Sequence, residues 1–311
     1  MTTRQPALGS AALVACMVLW GTLIPATNFL LAWFDAVGVS VIRFALGVAA
    51  LWLAVQLFDR ASTPIPWRKS WALGLGISLF ATCYTLGIAN ANPINAAVIA
   101  SIGPLTTSIL AWLLYRTPPA PGLGLAVVLA VGGSLVVSLG GKLGSDASWD
   151  FRGGEIMLLI GQAMWSWYSL ASVRWLVGHS QLRISYSTML PAMVYQALLW
   201  ALLWALGWAR GATPADLPEA ALWVFLVIGP VVTAGGVYFW NFGASQLGAP
   251  VAALFLNLIP LVAIGISMVA LGERVMTYQI LGGVLVIAGV ASMQIRMLSG
   301  ANPKAAPANA G

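Results

Sequence analysis

Two stretches of this chain read Ala96-Ala-Val-Ile-Ala-Ser-Ile-Gly-Pro-Leu105 and Ala252-Ala-Leu-Phe-Leu-Asn-Leu-Ile-Pro-Leu261. They belong to a longer duplication, in which residues 83–139 and 239–295 align without a gap at a constant separation of 156 positions. Glycines and prolines recur in the same register, which is informative even in an apolar chain where Ala and Leu matches are common. Because an internal repeat determines how a fold is built, this duplication frames the rest of the sequence.

The composition places the duplication in a membrane. Of the 311 residues, 60% are hydrophobic and 7% are charged, whereas roughly 25% are charged in ordinary globular proteins. So few charges cannot cover a water-facing surface of this size, so the solvent must be lipid. The net charge of +6 fits the cytoplasmic excess of Lys and Arg in membrane proteins, and we predict no nucleic-acid partner.

Ten apolar runs are long enough to cross the hydrocarbon core of a bilayer. They cover about 8–31, 36–57, 71–91, 94–115, 122–140, 153–176, 184–208, 221–245, 249–271 and 277–297. With the N-terminus in the cytoplasm, nine of the 14 Lys and Arg residues fall on the inner side and four on the outer side. This bias predicts ten spans with both termini cytoplasmic. The polar, proline-broken tail at 299–311 is predicted to be disordered and cytoplasmic.

Five spans in each half make the second half enter the membrane in the opposite sense. The sequence therefore predicts an all-α integral membrane protein, with ten transmembrane helices in a 5+5 inverted-topology repeat. The first repeat is expected at 1–145 and the second at 146–298. Many secondary transporters are built in this way, with the substrate near the midplane between the halves. Outside the main duplication, Trp20 can be aligned with Trp165 at a separation of 145 positions.

Aromatic and polar side chains deep in the predicted spans form the candidate substrate site. Gln162, Trp165 and Ser169 share one face of span 6 on helical spacing. Such stripes suit a midplane cavity with apolar walls and a few hydrogen-bonding groups. Helix packing with Asn as a polar contact is the alternative. The predicted substrate-binding residues are Trp20, Tyr84, Thr85, Ser101, Trp165, Tyr168, Trp240, Asn241 and Asn257.

Two prolines occupy equivalent positions in spans 4 and 9. A proline removes a backbone donor and disturbs the preceding helical turn. Pro104 and Pro260 are therefore candidate hinges, and kinks that serve packing alone are the alternative.

Charge inside the predicted spans is scarce. Arg43 lies within span 2, where it could snorkel or form an ion pair with Glu155 or Glu273. No carboxylate lies at the predicted midplane, so a dedicated proton relay is not visible, and uniport, exchange and coupling through a peripheral carboxylate remain open.

No enzyme motif is present in the sequence. Gly140-Gly141-Lys142 lacks the rest of a P-loop, so a primary pump is not expected. No Cys/His cluster has metal-ligand spacing, and His179 is the single histidine. We predict a protein that is not an enzyme and has neither metal nor cofactor.

The order of several short motifs resembles the EamA family of the drug/metabolite transporter superfamily. The motifs are Val18-Leu-Trp-Gly21, Val41-Ile-Arg-Phe44, Leu256-Asn-Leu-Ile-Pro-Leu261, Leu271-Gly-Glu-Arg274 and Leu281-Gly-Gly-Val-Leu-Val-Ile-Ala-Gly289. The resemblance covers roughly residues 10–297. It implies export of small metabolites across the bacterial inner membrane by alternating access, through a central cavity lined by spans 1, 3, 4, 6, 8 and 9.

One departure from the family pattern affects Glu273. The Gly-Glu pair that ends span 9 often has a counterpart after span 4, but this chain reads Tyr115-Arg-Thr-Pro-Pro119 there. A symmetric role for Glu273 is therefore not supported, and a helix cap or an Arg43 partner is the preferred interpretation.

The sequence thus favours a secondary transporter that exports small organic metabolites, with amino acids or related amphipathic compounds as the leading substrates. Efflux of drugs or aromatic compounds, or uptake of metabolites, is the alternative. A more remote alternative is a membrane assembly factor that transports nothing. The expected partners are a small-molecule substrate and the lipid bilayer, for a protein that is a monomer or a weak homodimer.

Overall fold

The regular secondary structure is helical throughout the residues that the computed structural model describes, which are 5–140, 150–209, 211, 217–271 and 276–298. In chain order the α-helices are α1 Pro6–Leu30, α2 Ala36–Phe58, α3 Trp67–Asn90, α4 Pro93–Ser101, α5 Gly103–Tyr115, α6 Leu123–Leu139, α7 Gly154–Trp175, α8 Gln181–Ala205, α9 Glu219–Val227, α10 Gly236–Leu247, α11 Ala249–Leu254, α12 Ile259–Leu271 and α13 Thr277–Leu298. A π-helical stretch, Ile228–Gly235, joins α9 to α10. A 3₁₀ turn, Phe255–Leu258, joins α11 to α12.

The helices make this chain a multi-pass membrane protein. Within the described ranges, eight helical runs are long and apolar enough to cross a bilayer, and a bent pair of helices adds a ninth. The remaining predicted span corresponds to α6, an apolar helix of 17 residues. Every predicted span thus coincides with a helical run, although α3 begins four residues before the predicted start. The prediction of an all-helical membrane protein is confirmed.

The predicted hinges lie at a bend in one run and beside a 3₁₀ turn in another. The helical axes of Asn95–Ser101 and Gly103–Tyr115 differ by 52°. Pro104 lies in the first turn of α5, where its missing N–H has no intrahelical partner in any case. Pro260 follows the 3₁₀ turn and lies in the first turn of α12. Pro104 therefore begins a new helix after a bend, whereas Pro260 follows a 3₁₀ turn within the run Ala249–Ile266, which is one span by length and composition.

The helices pack in a small set of close pairs. The helix α6 packs along α13, α3 lies between α7 and α8, α1 packs against α10 and α12, and α2 packs against α8 and the π-helical stretch. The crossing of α6 with α13 depends on glycine, because a Cβ added to Gly133 would lie 2.5 Å from the carbonyl oxygen of Gly282. Small residues at such crossings let helical backbones approach closely in lipid.

The pair α2 and α8 is joined at both ends by polar contacts. At one end, the indole of Trp200 donates to Asp35 Oδ2 at 3.1 Å. At the other, Arg183 Nη2 donates to the carbonyl of Asp59 at 2.7 Å, and the guanidinium approaches the Asp59 carboxylate at 3.9 Å. These contacts fix the relative position of two helices that come from different halves of the chain.

Some predictions fall on residues outside the described ranges. Glu273, the second possible partner of Arg43, is one of them, and so is the tail at 299–311 that was predicted to be disordered.

Candidate functional site

Three indole rings from three helices meet in the interior of the bundle. Trp20 on α1 lies 5.3 Å from Trp165 on α7 and 5.6 Å from Trp240 on α10, measured between ring centroids. Trp165 and Trp240 are 5.2 Å apart. We call these three residues the tryptophan cluster. Separations of this size are typical of favourable aromatic pairs, which contribute about 0.5–1.5 kcal/mol beyond the area that they bury.

Further aromatic rings extend the tryptophan cluster on one side. The ring centroids of Phe80 and Trp165 are 4.9 Å apart, and Phe80 in turn contacts Tyr84 at 5.3 Å. Tyr168 lies 5.3 Å from Trp165. Trp165 and Trp240 are buried, whereas Trp20 and Tyr84 are half-buried. The helices α1, α3, α7 and α10 therefore share one aromatic region.

The sequence positions these rings through helical spacing and small neighbours. Trp165 and Ser169 lie one turn apart on α7, and Ser169 Oγ donates to the carbonyl of Trp165 at 2.8 Å. The same hydroxyl accepts the indole N–H of Trp240 at 3.1 Å, which satisfies the polar atom of a buried ring. Gly236 leaves room for the Trp20 indole, because an added Cβ there would collide with it.

A buried polar network lies beside the tryptophan cluster. The Tyr168 hydroxyl donates to Asn241 Oδ1 at 3.0 Å and also lies 3.3 Å from Thr188 Oγ1. Asn241 Nδ2 donates to Ser185 Oγ at 3.0 Å. The network joins α7, α8 and α10, and it engages both polar atoms of the Asn241 side chain. This is the arrangement expected if Asn241 holds helices together, the alternative that the sequence left open.

The helix breaks bring a second polar group into the interior. Ser101 Oγ, at the end of α4, donates to Ser134 Oγ on α6 at 3.2 Å. Asn257, its equivalent in the second copy, is 2% exposed, and neither polar atom of its side chain has a hydrogen-bond partner among the described residues. The position equivalent to Ser134 is Val290, which offers no hydroxyl. Asn257 therefore retains unused hydrogen-bonding capacity.

Gln162 contributes a third buried amide near the first break. Its Nε2 has no hydrogen-bond partner in the described part of the chain. It lies against Gly103, where an added Cβ would be 2.9 Å away. A buried polar atom without a partner costs about 1–3 kcal/mol. Such a group in a native structure therefore calls for an explanation.

Arg43 and Glu155 do not form the ion pair that the sequence offered as one possibility. Within the described ranges, Arg43 Nη1 donates to Thr233 Oγ1 at 3.2 Å. The Glu155 carboxylate accepts from the backbone N–H of Asn92 at 3.0 Å and from the Asn95 side chain at 3.0 Å. It also caps the start of its own helix by accepting from the backbone N–H of Arg152 at 3.1 Å. Two backbone N–H groups and the Asn95 amide thus satisfy the Glu155 carboxylate in place of the Arg43 guanidinium.

The other predicted residues lie at the edge of this region. Thr85 is half-buried on α3 and does not join the polar network formed by the described residues. Pro104 and Pro260 flank the breaks that carry Ser101 and Asn257. The described residues hold no group of three His, Cys, Asp or Glu side chains suited to a metal ion.

Sequence reasoning missed Phe80, Thr188, Ser185 and the π-helical stretch. Phe80 lies four residues before Tyr84, so helical spacing could have placed it on the same face. The roles of Thr188 and Ser185 depend on contacts between helices far apart in sequence, for which the chain carries no local signal.

Comparison with known proteins places these features in a family. The family model described as the EamA-like transporter family matches residues 7–139 and 152–294. The chain is 25% identical over 283 residues to "Uncharacterized transporter YyaM" of Bacillus subtilis. The aligned region covers 89% of this chain and 90% of that protein. It is also 25% identical over 298 residues to "Probable terminal-alkyne amino-acid exporter" of Streptantibioticus cattleyicolor, covering 92% of this chain and 93% of that protein.

The fold is also similar to a solved structure. One crystal structure superposes with a TM-score of 0.75 at 19% sequence identity, covering 96% of this chain and 99% of that chain. At this level of identity the likeness concerns the fold alone.

Proposed function

Because the chain belongs to the EamA-like transporter family, whose members are transporters and not enzymes, we propose that it is a secondary transporter that exports small organic metabolites across the bacterial inner membrane. Amino acids and related amphipathic compounds are the proposed substrates, and alternating access is the proposed mechanism. The observation that carries the proposal is the tryptophan cluster, in which Trp20 comes from the first half of the chain and Trp165 and Trp240 from the second.

The packing of the helices supports a 5+5 inverted repeat of ten spans, with α4/α5, α9/α10 and α11/α12 each counted as one broken span. In such a repeat each of the first five spans has a counterpart five spans later. The counterpart of the contact between α3 and α7 is then the contact between α10 and α1. Likewise, the counterpart of the contact between α3 and α8 is that between the π-helical stretch and α2, and both members of each pair are present. The two halves would then correspond to residues 1–145 and 146–298.

Equivalent glycines make equivalent contacts, which supports the same repeat. A Cβ added to Gly87 would lie 3.0 Å from the carbonyl oxygen of Gly154, and one added to Gly243 would lie 2.9 Å from that of Gly9. Gly87 and Gly243 are 156 positions apart, whereas Gly9 and Gly154 are 145 apart. The separation of 145 positions also relates Trp20 to Trp165. The glycine contacts therefore support aligning the first spans of the two halves at this separation, which sequence comparison alone found only for the two tryptophans.

The charge distribution supports an orientation with both termini in the cytoplasm. Nine Lys and Arg residues then lie on the inner side and four on the outer side, as the positive-inside rule requires. In this orientation the contact between Arg183 and Asp59 lies at the cytoplasmic end of α8.

The proposed substrate site combines an apolar wall with a few polar groups. The rings of Trp20, Tyr84, Trp165 and Trp240 supply the wall. The Asn257 amide and Gln162 Nε2, which have no partner among the described residues, supply hydrogen-bonding capacity. Ser101, Thr85, Tyr168 and Asn241 complete the proposed site, the last two by holding α7 against α10. Such a combination suits ligands with an apolar body and a polar head.

The helix breaks support a moving part within the proposed site. In a continuous helix, residue 104 would donate its N–H to the carbonyl of Ala100 and residue 260 would donate to Leu256, and a proline has no N–H to donate. Alternating access needs segments that bend without unfolding, and a bend before Pro104 together with a 3₁₀ turn before Pro260 meets that need. We therefore assign Pro104 and Pro260 as hinges.

Efflux of aromatic compounds is the second candidate, because the wall of the proposed site is aromatic. The name of one relative, an amino-acid exporter, favours amino acids over such compounds and export over uptake.

The proposal is tested in bacterial cells that express the protein from a plasmid. Intracellular and extracellular amino acids are measured by mass spectrometry, with an empty plasmid as the control. Export predicts that one or a few amino acids fall inside the cells and rise outside. Unchanged pools, with the protein present in the membrane fraction, would contradict it.

A further inference from the structure

Arg43 carries a positive charge inside α2, a helix long and apolar enough to span the membrane. Among the residues that the structure describes, its guanidinium makes one hydrogen bond, from Nη1 to Thr233 Oγ1 at 3.2 Å. It also lies over the ring of Phe44, 4.6 Å from the ring centroid. An arginine side chain offers five N–H donors, so the described part of the chain engages only a minority of the donors of Arg43.

No carboxylate neutralises Arg43 within the described ranges. Glu155 accepts from Asn92, Asn95 and Arg152 instead, and the ion pair that the structure describes joins Arg183 to Asp59. A charge in a membrane span is costly unless an anion accompanies it, and such residues usually face a pathway or a cavity. Arginine is also the side chain best suited to bind a carboxylate with two parallel hydrogen bonds.

The position of Thr233 relates Arg43 to the tryptophan cluster. Thr233 lies in the π-helical stretch, a kind of distortion found frequently at functional sites. Gly236, three residues further on, contacts the Trp20 indole. Trp240 follows seven residues after Thr233, which is about 10 Å along a helix at 1.5 Å per residue. That distance is close to the length of a small amphipathic molecule.

We propose that Arg43, positioned by Thr233, binds the carboxylate of the transported molecule while the tryptophan cluster holds its apolar body. This inference rests on the proposed function and narrows its substrate class to small amphipathic carboxylates. Compounds of the same shape that lack the carboxylate are then poor ligands. The phosphate of a lipid headgroup is the other anion that could reach a membrane arginine, and the experiment separates the two.

The test measures binding and transport separately on purified full-length protein. Binding is followed by the rise in melting temperature with 3-phenylpropanoate, which has a carboxylate and no amine, and with phenylalaninamide, which has an amine and no carboxylate. Transport is followed by counterflow of labelled L-phenylalanine into proteoliposomes. The variants are Arg43→Gln, Arg43→Lys and Thr233→Val. Arg68→Gln is the control, because Arg68 is exposed at the start of α3.

The proposal predicts that 3-phenylpropanoate stabilises the wild-type protein and phenylalaninamide does not. Arg43→Gln should raise the half-maximal concentration of 3-phenylpropanoate at least about tenfold, the effect expected from losing a charge-assisted hydrogen bond. Arg43→Lys and Thr233→Val should raise it less, and Arg68→Gln should leave it unchanged. If Arg43→Gln does not fold, the other two variants still report the effect.

Two outcomes would overturn the proposal. One is equal stabilisation of the wild-type protein by the carboxylate and by the amide. The other is an unchanged preference for the carboxylate in Arg43→Gln, which is the result expected if Arg43 pairs with a lipid phosphate. Failure of the proposed function looks different: the wild-type protein then shows no counterflow, while the melting curves still decide whether Arg43 binds a carboxylate.

Discussion

The indoles of Trp20 and Trp165 lie with their ring centroids 5.3 Å apart and their planes at 71°. These residues are 145 positions apart, the separation that would relate them in the proposed repeat. In a two-fold arrangement, equivalent residues can touch each other only near the axis. The contact therefore places the centre of the proposed repeat at the tryptophan cluster, where inverted-repeat transporters bind their substrates.

The crossing of α6 with α13 provides a test of the packing through two adjacent glycines. A Cβ at Gly133 would lie 2.5 Å from the carbonyl oxygen of Gly282, whereas one at Gly132 meets nothing within 4 Å. We expect Gly133→Ala to lower the melting temperature of the purified protein, because the helices must separate. Gly132→Ala should leave it unchanged or raise it, since alanine favours a helix by about 0.5–1 kcal/mol. Equal melting temperatures for the two variants would contradict this packing.

The polar network around Asn241 is expected to act on stability. Asn241→Ala leaves the hydroxyl of Tyr168 with Thr188 as its remaining partner among the described residues. The substitution should destabilise the protein by about 1–3 kcal/mol. Tyr168→Phe should cost a similar amount, and the double variant less than the sum, because the two residues share a hydrogen bond. Chemical denaturation in detergent measures all three. Additive losses would show that the hydrogen bond does not couple them.

A hinge at Pro104 predicts an effect on turnover. Pro104→Ala restores a backbone donor and favours a continuous helix across the 52° bend. We expect the maximal rate of counterflow to fall several-fold while the half-saturating concentration changes little, because bending limits the conformational step. Pro119→Ala, in the exposed segment after α5, is the control. Unaltered rates in Pro104→Ala would leave the bend with a packing role alone.

The proposed orientation can be tested with single cysteines. Thr63 and Asp150 are both exposed residues in loops, and the charge distribution places them on opposite sides of the membrane. In a background without Cys16 and Cys83, a membrane-impermeant maleimide should label Asp150→Cys in intact cells and Thr63→Cys only after lysis. The reverse pattern would invert the orientation.

Much of the architecture could be predicted from the sequence, because the length of an apolar run and the polar residues that flank it determine where a membrane helix begins and ends. The runs at 36–57 and 277–297 were predicted within one residue of α2 and α13. The sequence also predicted that Trp20 and Trp240 line one cavity, because the family resemblance assigns spans 1 and 8 to its wall, and their ring centroids lie 5.6 Å apart.

The sequence could not give the partners of the polar side chains. The sequence predicted Glu155 as a possible partner of Arg43. The Glu155 carboxylate instead accepts hydrogen bonds from two backbone N–H groups and from the Asn95 amide. The π-helical stretch and the 3₁₀ turn involve a choice between hydrogen-bonding patterns that differ by one residue in register. Packing against neighbouring helices determines which pattern forms, and the hydropathy of the sequence does not indicate it.

The most direct test of the central claim is counterflow of labelled L-phenylalanine into proteoliposomes containing Trp20→Ala. Trp20 is half-buried at the tryptophan cluster, and Trp208, which is 72% exposed, provides the matched Trp208→Ala control. Burial of an aromatic ring contributes about 1.5–3 kcal/mol, so we predict a rise of at least about tenfold in the half-saturating concentration for Trp20→Ala and none for the control. Equal kinetics in the wild-type protein and Trp20→Ala would contradict the account.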